Sequence, residues 1–189
     1  MCIIALTKSR NLGCVTKKVG IRSISIVQYK PLERIVSTAA GVVTLPAYML
    51  TGNLPAGAKI ARFEVKNSTT GFTDTLTQNP DTRSGGRKGE LSLVLFSGVG
   101  AENVVLSNVI DELTKTEFIA FVEMKNGETF AIGSEYGCMT TTAVDTTGAQ
   151  DGDLNGVTLT IATDEANSFR KYWLTNDAVI QLLASTLPY

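Results

Sequence analysis

Asp151, Asp153 and Asn155, with Gly156 directly after, set side-chain oxygens at alternate positions. That is how the first half of an EF-hand loop wraps a hard cation such as calcium. The loop's strongest ligand, a bidentate Glu at position 12, is missing: Ala162 stands there. Val157, Leu159 and Ile161 then alternate with Thr158, Thr160 and Ala162, the period of a half-buried strand rather than of a flanking helix. The hexapeptide therefore reads as a polar turn feeding a strand. Asp151, Asp153 and Asn155 stay as weak metal candidates, and no cofactor is expected.

A second run, Ser84-Gly85-Gly86-Arg87-Lys88-Gly89, has the composition of a phosphate-binding loop but not the GxxxxGK[ST] spacing that places backbone N–H groups and a lysine around phosphates. It belongs to residues 78–89, a segment with no apolar side chain, which reads as an exposed, mobile loop. Asp81, Arg83, Arg87 and Lys88 in it are candidates for contact with another subunit, since such a loop orders on assembly when its charges find partners.

Nucleophilic catalysis finds little support. The chain has no histidine, which removes the commonest general base and zinc ligand. Glu117, Glu123 and Glu128 lie on or beside one hairpin and are the carboxylates a glycan hydrolase would need to face each other across a cleft. Ordinary strand charges explain them as well, so the chain is expected not to be an enzyme.

The elements that must position these residues are mostly strands. The 189 residues suit a single domain, with 17 basic against 18 acidic side chains and a net charge of −1, which argues against a dedicated nucleic-acid binder. The three cysteines, Cys2, Cys14 and Cys138, are scattered and odd in number, so no disulfide framework is expected and a reducing cytoplasm is the expected place of synthesis. No secretory leader and no membrane-spanning run is apparent.

Ile21, Ile24, Ile26 and Val27 mark one strand with imperfect alternation, and residues 35–44 a second extended stretch with a bulge at Gly41. Residues 45–59 read as a long connection. Residues 59–66 alternate cleanly, and 72–77 continue them across a hairpin connection at 67–71. Residues 90–96 form another strand. Val105, Val109 and Leu113 recur every fourth residue, which predicts a helix over 102–113. Residues 116–124 and 128–133 flank Asn126-Gly127, the signal of a type I′ hairpin turn. Strands follow at 137–143 and 156–163, and Asn176 and Asp177 are placed to cap a short C-terminal helix. Tyr172 and Trp173 suit either an interface anchor or the core. The fold class is mainly β: a two-sheet antiparallel sandwich or partly closed barrel with one internal helix and that short C-terminal helix.

The second half of the chain resembles phage tail tube proteins, in particular those of phages that infect gut Bacteroidales. The resemblance is carried by the strand–turn–strand from Phe118 to Phe130 and by residues 146–163, TTGAQDGDLNGVTLTIAT, where a Gly- and Asp-containing loop leads into a G-x-T-L-T strand. It covers about half of the chain. It implies a virion location, hexameric rings stacked into a tube, and inner strands that close a barrel around a DNA-conducting lumen. The implied partners are copies of itself and other tail proteins, with DNA passing without specific contact and no membrane. It further implies a loop from each subunit to the adjacent ring, with 78–89 as first choice and 45–59 as second. A tail terminator, a collar or ring protein or a capsid accessory protein has the same build. A calcium-binding surface module is the remaining alternative.

Overall fold

A computed structural model describes residues 20–30, 35–37, 43–45, 60–65, 70–79, 81, 84–96, 101–147, 154–165, 168 and 172–174. Within them lie ten strands and one helix. β1 (Ile21–Gln28), β4 (Ala61–Glu64), β7 (Phe118–Met124) and β8 (Thr129–Ile132) form one sheet in the order β4-β1-β7-β8. β5 (Gly71–Asn79), β6 (Ser84–Phe96), β9 (Met139–Thr146) and β10 (Gly156–Glu165) form the other, in the order β5-β6-β10-β9. Every pairing in both is antiparallel. β2 (Val36–Ser37) and β3 (Val43–Thr44) make a small separate ladder. The helix α1 (Ala101–Lys115) runs between the two sheets' strands in sequence and lies against β9.

The sandwich follows from which faces are apolar. Along β10, Val157, Leu159 and Ile161 are buried, while Thr158, Thr160 and Ala162 are only partly so. With Leu91, Leu93 and Leu95 of β6 they meet Ile24, Ile26, Phe118, Ala120, Val122, Phe130 and Ile132 of the first sheet in one core. Leu106 and Leu113 of α1 join it. The first sheet is also covered on its other face, where Val27, Ile119, Phe121 and Ala131 pack with Ile35, Leu45, Ile60, Tyr172 and Leu174. Burial on both faces explains why β7 reads as the unbroken apolar run FIAFV. It also explains the imperfect alternation of β1, whose register against β7 shifts between Ile21 and Ser23. The structure is a sandwich of two open sheets, with no closed barrel among the described residues.

Three expectations are corrected. Residues 78–79 and 84–89 are strand, not loop: β5 and β6 pair out to Gln78↔Gly85 and Asn79↔Ser84. Both faces of this hairpin end are wet, so no apolar alternation marks it, and pairing to β10 at Thr163↔Gly89, Asp164↔Lys88 and Glu165↔Arg87 supports it from the other side. The strands at 61–64 and 71–79 are not a hairpin either. β4 pairs with β1 and β5 with β6, so the chain changes sheet between them. The β7–β8 hairpin is present, but its turn has three residues. The N–H of Gly127 donates to the carbonyl of Met124 at 2.9 Å, and the N–H of Met124 donates to the carbonyl of Glu128 at 2.8 Å. Gly127 has φ 84°. This is a type I turn closed by a left-handed glycine, which needs one positive φ where type I′ needs two.

The bulge expected at Gly41, the connection 46–59 and the C-terminal helix at Asn176 and Asp177 lie outside the described residues. Tyr172 and Trp173 belong to the core. Tyr172 is buried, and Trp173 stacks on Phe130 at 5.4 Å and bridges to it along the outer edge of β8.

Candidate functional site: a half-exposed sheet and its outer strands

The second sheet has one face in the core. Its other face carries the residues of opposite parity, and the register sorts them into cross-strand rows. Gly71, Ser92, Thr160 and Thr142 form one row, and Thr73, Glu90, Ala162 and Met139 another. Thr75, Lys88 and Asp164 form a third, and Val94, Thr158 and Val144 a fourth. Val94 is buried; the other side chains of these rows are exposed or half-exposed. Threonine predominates because a β-branched side chain suits a pleated surface while its hydroxyl tolerates water. The charged members are Lys88, Glu90 and Asp164, so the face is nearly neutral and slightly acidic.

The edges of this sheet are β5 and β9. All of β9 except Thr140 is exposed, including Met139 at 58% and Val144 at 55%. It has eight residues, one charge (Asp145) and no proline or lysine. Protected edges are usually short, charged, bulged away or covered. A bulge at Thr141 does interrupt β9 between Thr160 and Ile161, and the Thr141 hydroxyl bonds back to the Thr160 carbonyl at 3.1 Å. The four residues Ala143–Thr146 remain regular. The first sheet contrasts with this, because residues 172–174 cover its β8 edge through the N–H of Leu174 donating to the Thr129 carbonyl at 2.8 Å.

Of the residues singled out from sequence, Arg87 and Lys88 come together on β6. Arg87 is paired with Asp74 across the hairpin at 2.8 Å, and the Ser168 hydroxyl donates to the same carboxylate at 3.2 Å. Lys88 is exposed, opposite Asp164. Asp81 is an exposed turn residue. Arg83, Asp151 and Asp153 lie outside the described residues. Asn155 is exposed immediately before β10. Gly156 begins that strand under close contact, since a Cβ there would fall 2.2 Å from the Leu95 carbonyl oxygen. Its glycine thus answers to strand packing and needs no metal.

The three glutamates do not converge. Glu117 and Glu123 stand near opposite ends of β7, about 20 Å apart at strand rise. Both Glu123 oxygens are occupied: Oε1 takes Arg22 at 3.1 Å, and Oε2 takes Arg62 at 2.9 Å and the Ser23 hydroxyl at 2.6 Å. Glu128 is engaged by the amide of Asn126 in the hairpin turn. Among the described residues no three His, Cys, Asp or Glu side chains are grouped to hold a metal ion.

One acid was not singled out. Glu165, the last residue of β10, is 7% exposed. Its Oε1 accepts the backbone N–H of Ser134 at 2.6 Å, and the N–H groups of Gly133 and Glu135 also face it. Burial raises its pKa to about 7, the N–H groups oppose that shift, and the charge of Glu135 adds to it. Burial likewise raises the Cys138 thiol, and the charge of Glu165 raises it further. The sequence held a signal for this: Val157, Leu159, Ile161, Thr163 and Glu165 share one parity, so Glu165 had to point inward.

No protein-family model, curated protein or solved structure matches the chain. Among the described residues no helix is long and apolar enough to cross a membrane.

Proposed function

We infer that the chain is a virion structural protein, a phage tail tube subunit, whose second sheet joins the same sheet of its neighbours in a ring around a DNA-conducting lumen. The observation that carries this reading is that β5 and β9, the outer strands of one half-exposed sheet, have no further strand beside them among the described residues. With four antiparallel strands, β5 and β9 run in opposite directions. A head-to-tail copy therefore sets its β5 beside β9 and continues the antiparallel order without a break. Repetition of that contact closes a ring, and closure is what removes bare edges altogether.

The chemistry of the uncovered face supports the same role. A wall of threonine hydroxyls with one lysine and two acids offers phosphates no cationic hold, so DNA slides past it. The rings are hexameric and stack in this reading, and the β5–β6 hairpin end, with Asp81, Arg87 and Lys88, is the part placed to meet another ring. Electron microscopy and sedimentation velocity of the purified full chain test it. Rings or tubes with a central channel are the expected result. A strictly monomeric protein across concentration, salt and temperature would overturn it.

A further inference from the structure

Toward the β5–β6 hairpin end of the second sheet, one cation stands between two carboxylates. Arg87 of β6 is directly opposite Glu165 of β10, and on its other side it is directly opposite Leu76 of β5. Asp74 pairs with Gly89, two residues further along, so it is only a diagonal neighbour of Arg87. Directly opposite side chains are about 5 Å apart at Cβ and diagonal ones about 7 Å. Arg87 nevertheless bonds the diagonal acid. Its Nη1 lies 2.8 Å from Asp74 Oδ2, and among the described residues its ion pair is with Asp74 and not with Glu165. We propose that Arg87 is a two-position switch set by pH: it pairs with Asp74 on the outer strand β5 while Glu165 is protonated, and moves to the carboxylate opposite, on β10, when Glu165 ionises.

The surroundings of Glu165 are the first argument. β6 brings Arg87 to it. The turn after β8 brings the N–H groups of Gly133, Ser134 and Glu135 and the Glu135 carboxylate, which itself receives the Tyr172 hydroxyl at 2.6 Å. Cys138, just before β9, brings a thiol that burial keeps neutral. On β10 itself, Asp164 points to the opposite face, beside Lys88. Burial raises the Glu165 pKa to about 7, the N–H groups oppose the rise and the Glu135 charge adds to it, so this carboxyl changes charge near neutrality. A neutral carboxyl gives a guanidinium little hold, whereas an ionised one in a buried setting favours a paired cation. The balance between the two carboxylates therefore changes with pH, and both stand within reach of one side chain.

Room to move is the second argument. The residues that share the face of Arg87 on β6 are Gly85 and Gly89, two positions to either side. Neither puts a side chain in the path of the guanidinium. A notch of about 450 Å³ opens at the same place, lined by Gly85, Arg87, Tyr136 and Glu165 among others. Asp74 is not stranded by the move, because the Ser168 hydroxyl also donates to it, at 3.2 Å. The move transfers a tie. With Glu165 protonated, Arg87 fastens β5 to β6. With Glu165 ionised, it fastens β6 to β10 and leaves the outer strand less firmly held.

The device lies within one chain and does not depend on assembly. NMR titration of the full chain from about pH 5 to about pH 9, on either side of the Glu165 midpoint, tests it. The Glu165 Cδ and Arg87 Nε signals are expected to titrate together, with one common midpoint near 7. Amide exchange at Thr75 and Thr77 on β5, corrected for its intrinsic pH dependence, should quicken about threefold or more across the same step. Glu165→Gln keeps an acceptor for the Ser134 N–H and should remove the step from the Arg87 signal. Asp74→Asn takes away the competing carboxylate, so Arg87 turns to Glu165 at every pH and the Glu165 midpoint should fall by about one unit. A bond with a merely structural role would leave that midpoint where it was. An Arg87 signal that does not follow Glu165, unchanged exchange on β5, or an Asp74→Asn midpoint equal to the parent's overturns the proposal.

Discussion

The backbone N–H of Ser134 donates a 2.6 Å hydrogen bond to Oε1 of Glu165, tying the end of β10 in one sheet to the turn that follows β8 in the other. The tie has a pH dependence whose sign is fixed by burial. The Glu165 pKa is raised from 4.5 to about 7, so the folded state binds a proton that the unfolded chain releases. The contribution of this group is full below about pH 4.5 and is lost as pH rises through about 7. The ceiling of that loss is on the order of 3 kcal/mol. Glu165→Gln is therefore expected to be more stable than the parent at pH 8.5 and equal to it near pH 4.5. Urea melts of both proteins across that range measure this, and parallel pH profiles would contradict it.

The glycines of the second sheet separate into two kinds. At Gly156 a Cβ would fall 2.2 Å from the Leu95 carbonyl oxygen and 2.9 Å from Phe96 Cα, and both are backbone atoms that cannot step aside. Gly156→Ala should cost about 3 kcal/mol or more, through displacement of β10 from β6. Gly86→Ala should be neutral or stabilising by a few tenths of a kcal/mol, since the alanine has space and restricts the unfolded chain. Thermal melts of the two variants side by side decide this.

Glu123 binds three donors from two neighbouring strands: Arg22 and Ser23 on β1, and Arg62 on β4. Its side chain is 15% exposed, and that of Arg62 is 25% exposed. Removal of the carboxylate leaves Arg62 half-covered without its partner, so Glu123→Ala is expected to destabilise the fold by about 2 kcal/mol. Glu117→Ala, at an exposed position, should change stability by less than about 0.5 kcal/mol. The difference between the two by chemical denaturation is the measurement.

Much of the placement of strands and helix was legible because burial writes itself into the sequence. The one-sided burial of β10 appears as strict alternation, the two-sided burial of β7 as an unbroken apolar run, and the helix as a four-residue recurrence at Val105, Val109 and Leu113. The β5–β6 hairpin end was not legible. Its residues are wet on both faces, so strand and loop leave the same polar composition, and only pairing with β10 distinguishes them. The change of sheet between β4 and β5 was hidden for a related reason: alternation fixes which face is buried but not which neighbour pairs. Glu165 was overlooked because a glutamate at a strand end reads as solvated, although its parity with Val157, Leu159 and Ile161 already placed it inward.

The proposed assembly makes the β9 edge a contact, and charge on that edge is the direct way to test it. Met139 and Val144 are exposed on β9, so lysine at either position removes no core packing. Edge lysines are also the device by which sheets avoid pairing with other chains, because addition of a strand would force the ammonium against it. Met139→Lys/Val144→Lys is expected to melt within about 1 kcal/mol of the parent, as exposed substitutions usually do. Rings and tubes should be lost or shifted to at least tenfold higher concentration in sedimentation velocity. Glu64→Lys, at an exposed position on β4 of the other sheet, changes the charge by the same two units, supplies the matched control and should leave assembly unchanged. If the double variant assembles like the parent, β9 is not the closing edge. If the Glu64 control also fails, net charge rather than the edge governs association.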